Sequence, residues 1–169
     1  DDPISLSEYL EKMPETQKDI YYISAETNAQ ALASPHLEGF KSKKVPVLIM
    51  TDAIDQFWLP MVGSFKEKKF TSITQGQINL DELDEKNKDK KKDDKSEKEK
   101  QDKEYVDLVA QLKVVLGDQV KDIRLSSKLT DSPVCLVADE GDMDIAMEQL
   151  MAQRDTNYKG APRILEING

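Results

Sequence analysis

Apolar residues along the first part of the chain come in two alternating styles. Ile20–Ala25 and Val45–Met50 are short compact runs in which isoleucine, valine and tyrosine dominate, as in buried strands. Between and after them the spacing changes to three and four. Leu37 and Phe40 follow the Ser34-Pro35 break, and Ile54, Phe57, Trp58 and Met61 form a helical stripe. Thr27 or Asn28 can cap a helix through Ala33. Thr51 and Asp52 serve as strand exit and as cap of a helix from Ala53, which Pro60 should kink or end. Upstream, Ser5-Leu6-Ser7-Glu8 has capping-box spacing, and Pro14 stops that short helix near Met13. Lys69–Thr74 alternates enough for a third strand. Strand–helix–strand units of this length require parallel pairing and right-handed crossovers, which predicts a small three-layer parallel α/β subdomain over 1–80.

The periodicity then stops. Of the 24 residues from Asp81 to Glu104, 11 are acidic and 9 basic, so the stretch has nothing to bury. It reads as a solvated connector, helical toward its C-terminal end and mobile in its middle. From Tyr105 a helical face returns with Leu108, Val109, Leu112, Val115 and Leu116, closed by Gly117. Strands at Val120–Leu125 and Val134–Ala138 follow, separated by a turn at Asp131-Ser132-Pro133. A helix from Asp142 to Gln153 and a strand at Arg163–Ile167 complete an α-β-β-α-β module over 105–169.

Charge changes the picture in one respect. Outside the connector, 22 acidic residues face 15 basic ones, a net −7 that argues against nucleic-acid and anionic-lipid partners. The Lys90-Lys91-Lys92 cluster does not alter this, because Asp89, Asp93 and Asp94 cancel most of its field. No run reaches the roughly 20 apolar residues of a membrane span. The single cysteine, Cys135, lies in an apolar strand and is expected to be a buried thiol. The only histidine, His36, has no second histidine to share a metal, and Asp52 lacks the acidic pair that a phospho-accepting site needs. Phosphate-loop, dinucleotide and nucleophile-elbow motifs are absent, so no catalytic, cofactor or metal residues are assigned.

The segments IYYISAET, SPHLE and VLIMTDAIDQF, then LGDQVKDIRLSSKLTDSPVCLVADEGDMDIAMEQLMA and RILEIN, resemble the heat-shock protein 90 chaperones, most closely their bacterial, HtpG-like branch. The resemblance covers nearly the whole chain apart from the lysine-rich centre. It implies the last subdomain of a middle domain at 1–80, a connector at 81–104 and the first part of a C-terminal domain at 105–169. Asp1 in place of an initiator methionine, and the stop at Gly169 after an apolar strand, fit a piece of a longer protein that lacks the final dimerisation helices. The full-length protein would be a cytoplasmic homodimer that hydrolyses ATP with Mg. The fragment itself would have no cofactor and no ATPase activity. Its partners would be unfolded or partly folded client proteins, without nucleic acid or membrane.

Two stretches are the client-contact candidates. Met143, Ala146, Met147, Leu150 and Met151 are spaced as one apolar helix face, and flexible thioether chains suit a surface that repacks against many shapes. Periodicity alone favours such a face turned into its own core. The resemblance favours client contact at Met143, Met147, Leu150 and Met151. It also implies an exposed client-contacting aromatic at Phe57, with Trp58 beside it and Met61 on the next turn; which aromatic faces outward stays open. A passive spacer and a stand-alone small α/β enzyme are the alternatives.

Overall fold

A computed structural model describes residues 3–83, 95–155 and 158–169. The expected mobile middle of the connector falls largely on 84–94, outside the described residues. The connector's C-terminal end is helical from Lys95.

Helix α1, Leu6–Lys12, opens with the expected reciprocal box: the Glu8 N–H donates to Ser5 Oγ at 3.2 Å, and the Ser5 N–H to Glu8 Oε2 at 2.7 Å. Strand β1, Ile20–Ser24, leads into α2, Asn28–Leu32, which Thr27 caps. Ser34 and Pro35 begin a single 3₁₀ turn that runs into α3, Glu38–Ser42, and β2 is Leu48–Met50. Helix α4 is Asp55–Val62. It starts later than expected, and Asp52 does not cap it. Instead the Asp55 carboxylate reaches back to accept the Asp52 N–H at 3.2 Å. Pro60 is accommodated inside α4, which ends within one turn at Gly63, at φ +69°.

The first sheet has the order β2-β1-β4-β3, with β1 parallel to both β2 and β4. It is mixed, not purely parallel: β3, Ser64–Phe65, pairs antiparallel with β4, Lys68–Ser72. Two residues carry no periodicity. Their hairpin turn, Lys66-Glu67, takes φ of 46° and 65° without the usual glycine or asparagine, which is why the sequence does not announce it. Tyr21, Ile23, Ala31, Leu37, Phe40, Ile73, Ile78 and Leu80 fill the core beneath this sheet, with the Tyr21 and Phe40 rings edge-on at 5.1 Å.

Helix α5, Lys95–Leu116, is followed by a 3₁₀ turn and by β5, Val120–Leu125. Strand β6 is Val134–Val137, helix α6 is Ile145–Arg154 and strand β7 is Arg163–Ile167. The second sheet is also mixed, in the order β5-β7-β6, with β7 parallel to β5 and antiparallel to β6. Its buried apolar cluster is small: Leu129, Cys135, Val137 and Ile164. The two sheets meet where β4 and β6 end. There the Ala138 N–H donates to the Thr74 carbonyl at 2.9 Å and the Gly76 N–H to the Ala138 carbonyl at 2.8 Å. The chain is thus a mixed α/β protein built on two mixed sheets.

Candidate functional site

Helix α4 separates its aromatic pair. Trp58 is half-buried, edge-on to Phe70 at 5.7 Å, and its indole N–H donates to Asp55 Oδ1 at 2.6 Å. Phe57 faces outward at 37% exposure, and Met61, one turn on, is 85% exposed. Leu59 is the one fully buried side chain of the helix. Ile54 and Val62 extend the open apolar surface to both ends of α4.

Helix α6 departs from the expected single stripe. Met143 precedes the helix, because the cap is Asp144, whose carboxylate accepts the Ala146 N–H at 2.9 Å. The other oxygen of that carboxylate accepts the hydroxyls of Ser72, at 2.5 Å, and Thr74, at 2.8 Å, pinning α6 to the exit of β4. At about 100° per residue, Ala146, Gln149, Leu150 and Gln153 share one side of the helix, while Met147 and Met151 lie on the adjoining stripe. Met143 and Met151 are exposed, and Met147 and Leu150 are half-buried.

The helices α4 and α6 flank one crevice of about 150 Å³. Its walls are the exits of β1 and β2, with Glu26 and Asp52, together with Gln56 of α4 and Gln149, Leu150 and Gln153 of α6. Of the seven residues expected from the sequence, only Leu150 lines it. Phe57 follows Gln56, and Met147 and Met151 follow Ala146 and Leu150, so these three are sequence neighbours of lining residues, while Met61 and Met143 are not.

A second constellation escaped the sequence reading: a charged cluster sealed between the sheets. Lys128 is 1% exposed and Glu166 2%, and their charged groups lie 3.4 Å apart. Glu166 also accepts from Arg124 Nε at 3.0 Å, from Arg124 Nη2 at 2.8 Å and from the Ser126 hydroxyl at 2.9 Å. Both cations reach across to the first sheet's backbone, Lys128 Nζ to the Ile73 carbonyl at 3.1 Å and Arg124 Nη2 to the Gly76 carbonyl at 2.7 Å. Burial works to raise the Glu166 carboxyl, but Lys128 and the Arg124 and Ser126 hydrogen bonds hold it below the usual range. Burial also pulls the Lys128 ammonium down, and it pushes the Cys135 thiol up to about 12 with Glu166 adding to the effect. Cys135 is therefore the inert buried thiol expected of it. His36 packs into the same joint, lowered to about 4 by burial first and by Lys128 second.

Two further contacts close this joint. Glu38, at the start of α3, accepts the N–H groups of Thr130 and Asp131, both at 2.9 Å, and that of Ser132 at 3.1 Å, as well as the Ser132 hydroxyl. Burial alone would raise its carboxyl, yet these donors outweigh it and hold the group at about 2. Gly39 donates to the Lys128 carbonyl at 2.6 Å, and a Cβ there would come within 2.6 Å of that same oxygen. The only signal that could have found the cluster is Glu166, a lone acid in the apolar strand RILEI.

Among the described residues, no three histidine, cysteine or acidic side chains converge to hold a metal ion. No helix of the described residues is long and apolar enough to cross a membrane.

Residues 1–169 match a family model described as Hsp90 protein. The chaperone protein HtpG of Roseobacter denitrificans is 44% identical over 167 residues, covering 99% of this chain and 26% of that protein. Those of Mycolicibacterium gilvum and Streptomyces coelicolor are 39% and 40% identical, each again covering 99% of this chain and 25% of theirs. The chain spans about a quarter of the length of these curated relatives.

Proposed function

This chain belongs to the Hsp90 family, and we propose that it supplies client-contacting apolar surface and an interdomain joint to a longer, ATP-driven bacterial chaperone. In this reading residues 1–80 are the last three-layer subdomain of the middle domain and 81–104 a connector. Residues 105–169 begin the C-terminal domain. The parent is a cytoplasmic homodimer whose nucleotide and Mg sites lie outside this piece, so the piece itself hydrolyses no ATP.

The observation that carries the reading is a pair of open apolar surfaces, Phe57 and Met61 on α4 and Met143 and Met151 at α6, on the two helices that line one crevice. A client segment laid across them gains roughly 25 cal/mol for each Å² of apolar area it covers. The joint role rests on the sealed Lys128–Glu166–Arg124 cluster and on Glu38, which tie the two sheets together.

The half-burial of Met147 and Leu150 favours a second reading, a passive spacer whose methionine face is core. The two readings separate on replacing Met143, Met147 and Met151 by serine in the full-length protein. Unfolding midpoint and suppression of client aggregation are then measured separately. Intact stability with lost holding activity is the expected result, whereas collapse of the fold with no separable loss of holding overturns the client surface in favour of the spacer.

A further inference from the structure

The crevice between α4 and α6 has a chemistry that its apolar borders do not share. At about 150 Å³ it is well below the roughly 300–1,000 Å³ of small-molecule sites, and it suits a single long side chain. Ala25, Ala53 and Ala146 line it with methyl groups, leaving room along an apolar wall. Its only charged lining residues are Glu26 and Asp52, with no lysine, arginine or histidine beside them. Glu26 is held by one hydrogen bond, Gln153 Nε2 to Oε1 at 3.1 Å. The Asp52 carboxylate has no partner among the described residues, since its contact with Asp55 is made through its backbone N–H. Gln56 and Gln149 stand at the wall, where their amides can donate to and accept from a peptide backbone.

We propose that this crevice receives a lysine or arginine side chain of the bound polypeptide, so that the surface selects apolar segments carrying a cation over segments that are merely apolar. The inference rests on the client-contact reading above and adds a charge preference to it. A long basic side chain matches the site in both parts. Its aliphatic stem lies along the alanines and Leu150, and its charged head meets Glu26 and Asp52. The flanking apolar residues of the same segment then cover Phe57 on one side and Met147 and Met151 on the other. A phosphate or carboxylate ligand is disfavoured, because either would face two carboxylates with no cation to offset them.

The test uses three labelled, unstructured peptides of one apolar sequence, with lysine, glutamine or glutamate at a central position. Binding to the full-length protein is read by fluorescence anisotropy at low and at physiological salt. The lysine peptide should bind about tenfold more tightly than the glutamine peptide, with the glutamate peptide weakest and the difference shrinking as salt rises. In the double variant Glu26→Gln, Asp52→Asn the lysine and glutamine peptides should bind equally. Equal affinities in the wild-type protein overturn the proposal, and that comparison needs no variant to fold. A lysine preference that survives in a double variant with an unchanged unfolding midpoint overturns it too. The serine variant at Met147 and Met151 keeps the two ideas apart: it should weaken all three peptides alike. If it does so without any lysine preference in the wild type, the client surface stands and the crevice assignment falls. If it weakens none, the client-contact reading falls.

Discussion

The joint between the sheets and the surface bordered by α4 and α6 invert ordinary burial in opposite directions. The joint encloses Lys128 and Glu166, charged groups that normally stay wet, while Met61 and Phe57 stay wet when such groups are normally enclosed. The contrast shows two different demands on one small chain. Where the sheets meet, the cores are lean and geometry is held by directional bonds from Arg124, Lys128 and Glu38 to fixed backbone atoms. At the rim, Met61 and Met151 are exposed, and no hydrogen bond among the described residues holds either side chain, which leaves them room to repack.

The largest expected effect breaks the joint. Glu166→Gln leaves Lys128 buried without its counter-charge and should cost about 3–5 kcal/mol, read from urea unfolding. Adding Lys128→Met should recover most of that loss. A double variant as unstable as the single one would show that the charge pair is not what holds the sheets.

Acid should open the same joint. His36 is held at about 4 against an ordinary 6.5, so folding favours its neutral ring. Its contribution is complete above pH 6.5 and is lost as pH falls toward 4, by about 3 kcal/mol. Glu38, held at about 2 against 4.5, adds a second loss below pH 4.5. A stability profile flat between pH 7 and 4 would contradict the burial of His36.

Gly39→Ala comes next. In an ordinary helix the change stabilises by up to about 1 kcal/mol. Here the methyl group meets the Lys128 carbonyl and Cα, which are backbone and cannot swing away, so a net loss of about 2 kcal/mol is expected in thermal unfolding. The smallest effect sharpens the comparison from the other side. Met61→Ser removes an 85% exposed side chain and should move stability by no more than about 0.5 kcal/mol. A larger loss would mean that the α4 surface belongs to the fold.

Local signals carried much of the architecture. The Ser5–Glu8 box, β5 at Val120–Leu125 and β7 at Arg163–Ile167 depend on neighbours a few residues apart, and they were legible as written. The helix α4 starts later than its sequence suggests because Asp52 does not cap it: the Asp52 N–H donates to the Asp55 carboxylate, and the cap falls at Ile54 without a side-chain hydrogen bond. Spacing alone places Met143 on α6, but Asp144 answers to Ser72 and Thr74 as well as to its own helix, and it fixes the cap two residues beyond Asp142.

The chain alone determined most of its strands and helices, with β3 the exception, and also their order, the family resemblance and the buried cysteine, since each follows from short-range periodicity or from strings of residues. Only the folded molecule decided that Phe57 faces out while Trp58 packs on Phe70. It also set Glu166 against Lys128, Glu38 against the 130–132 backbone, and Glu26 beside Asp52 around one crevice. Those partners are separated by tens of residues, and no period or motif links them. They meet because parallel strands and their crossovers carry distant segments to one edge, where charge and space select which side chains can share it.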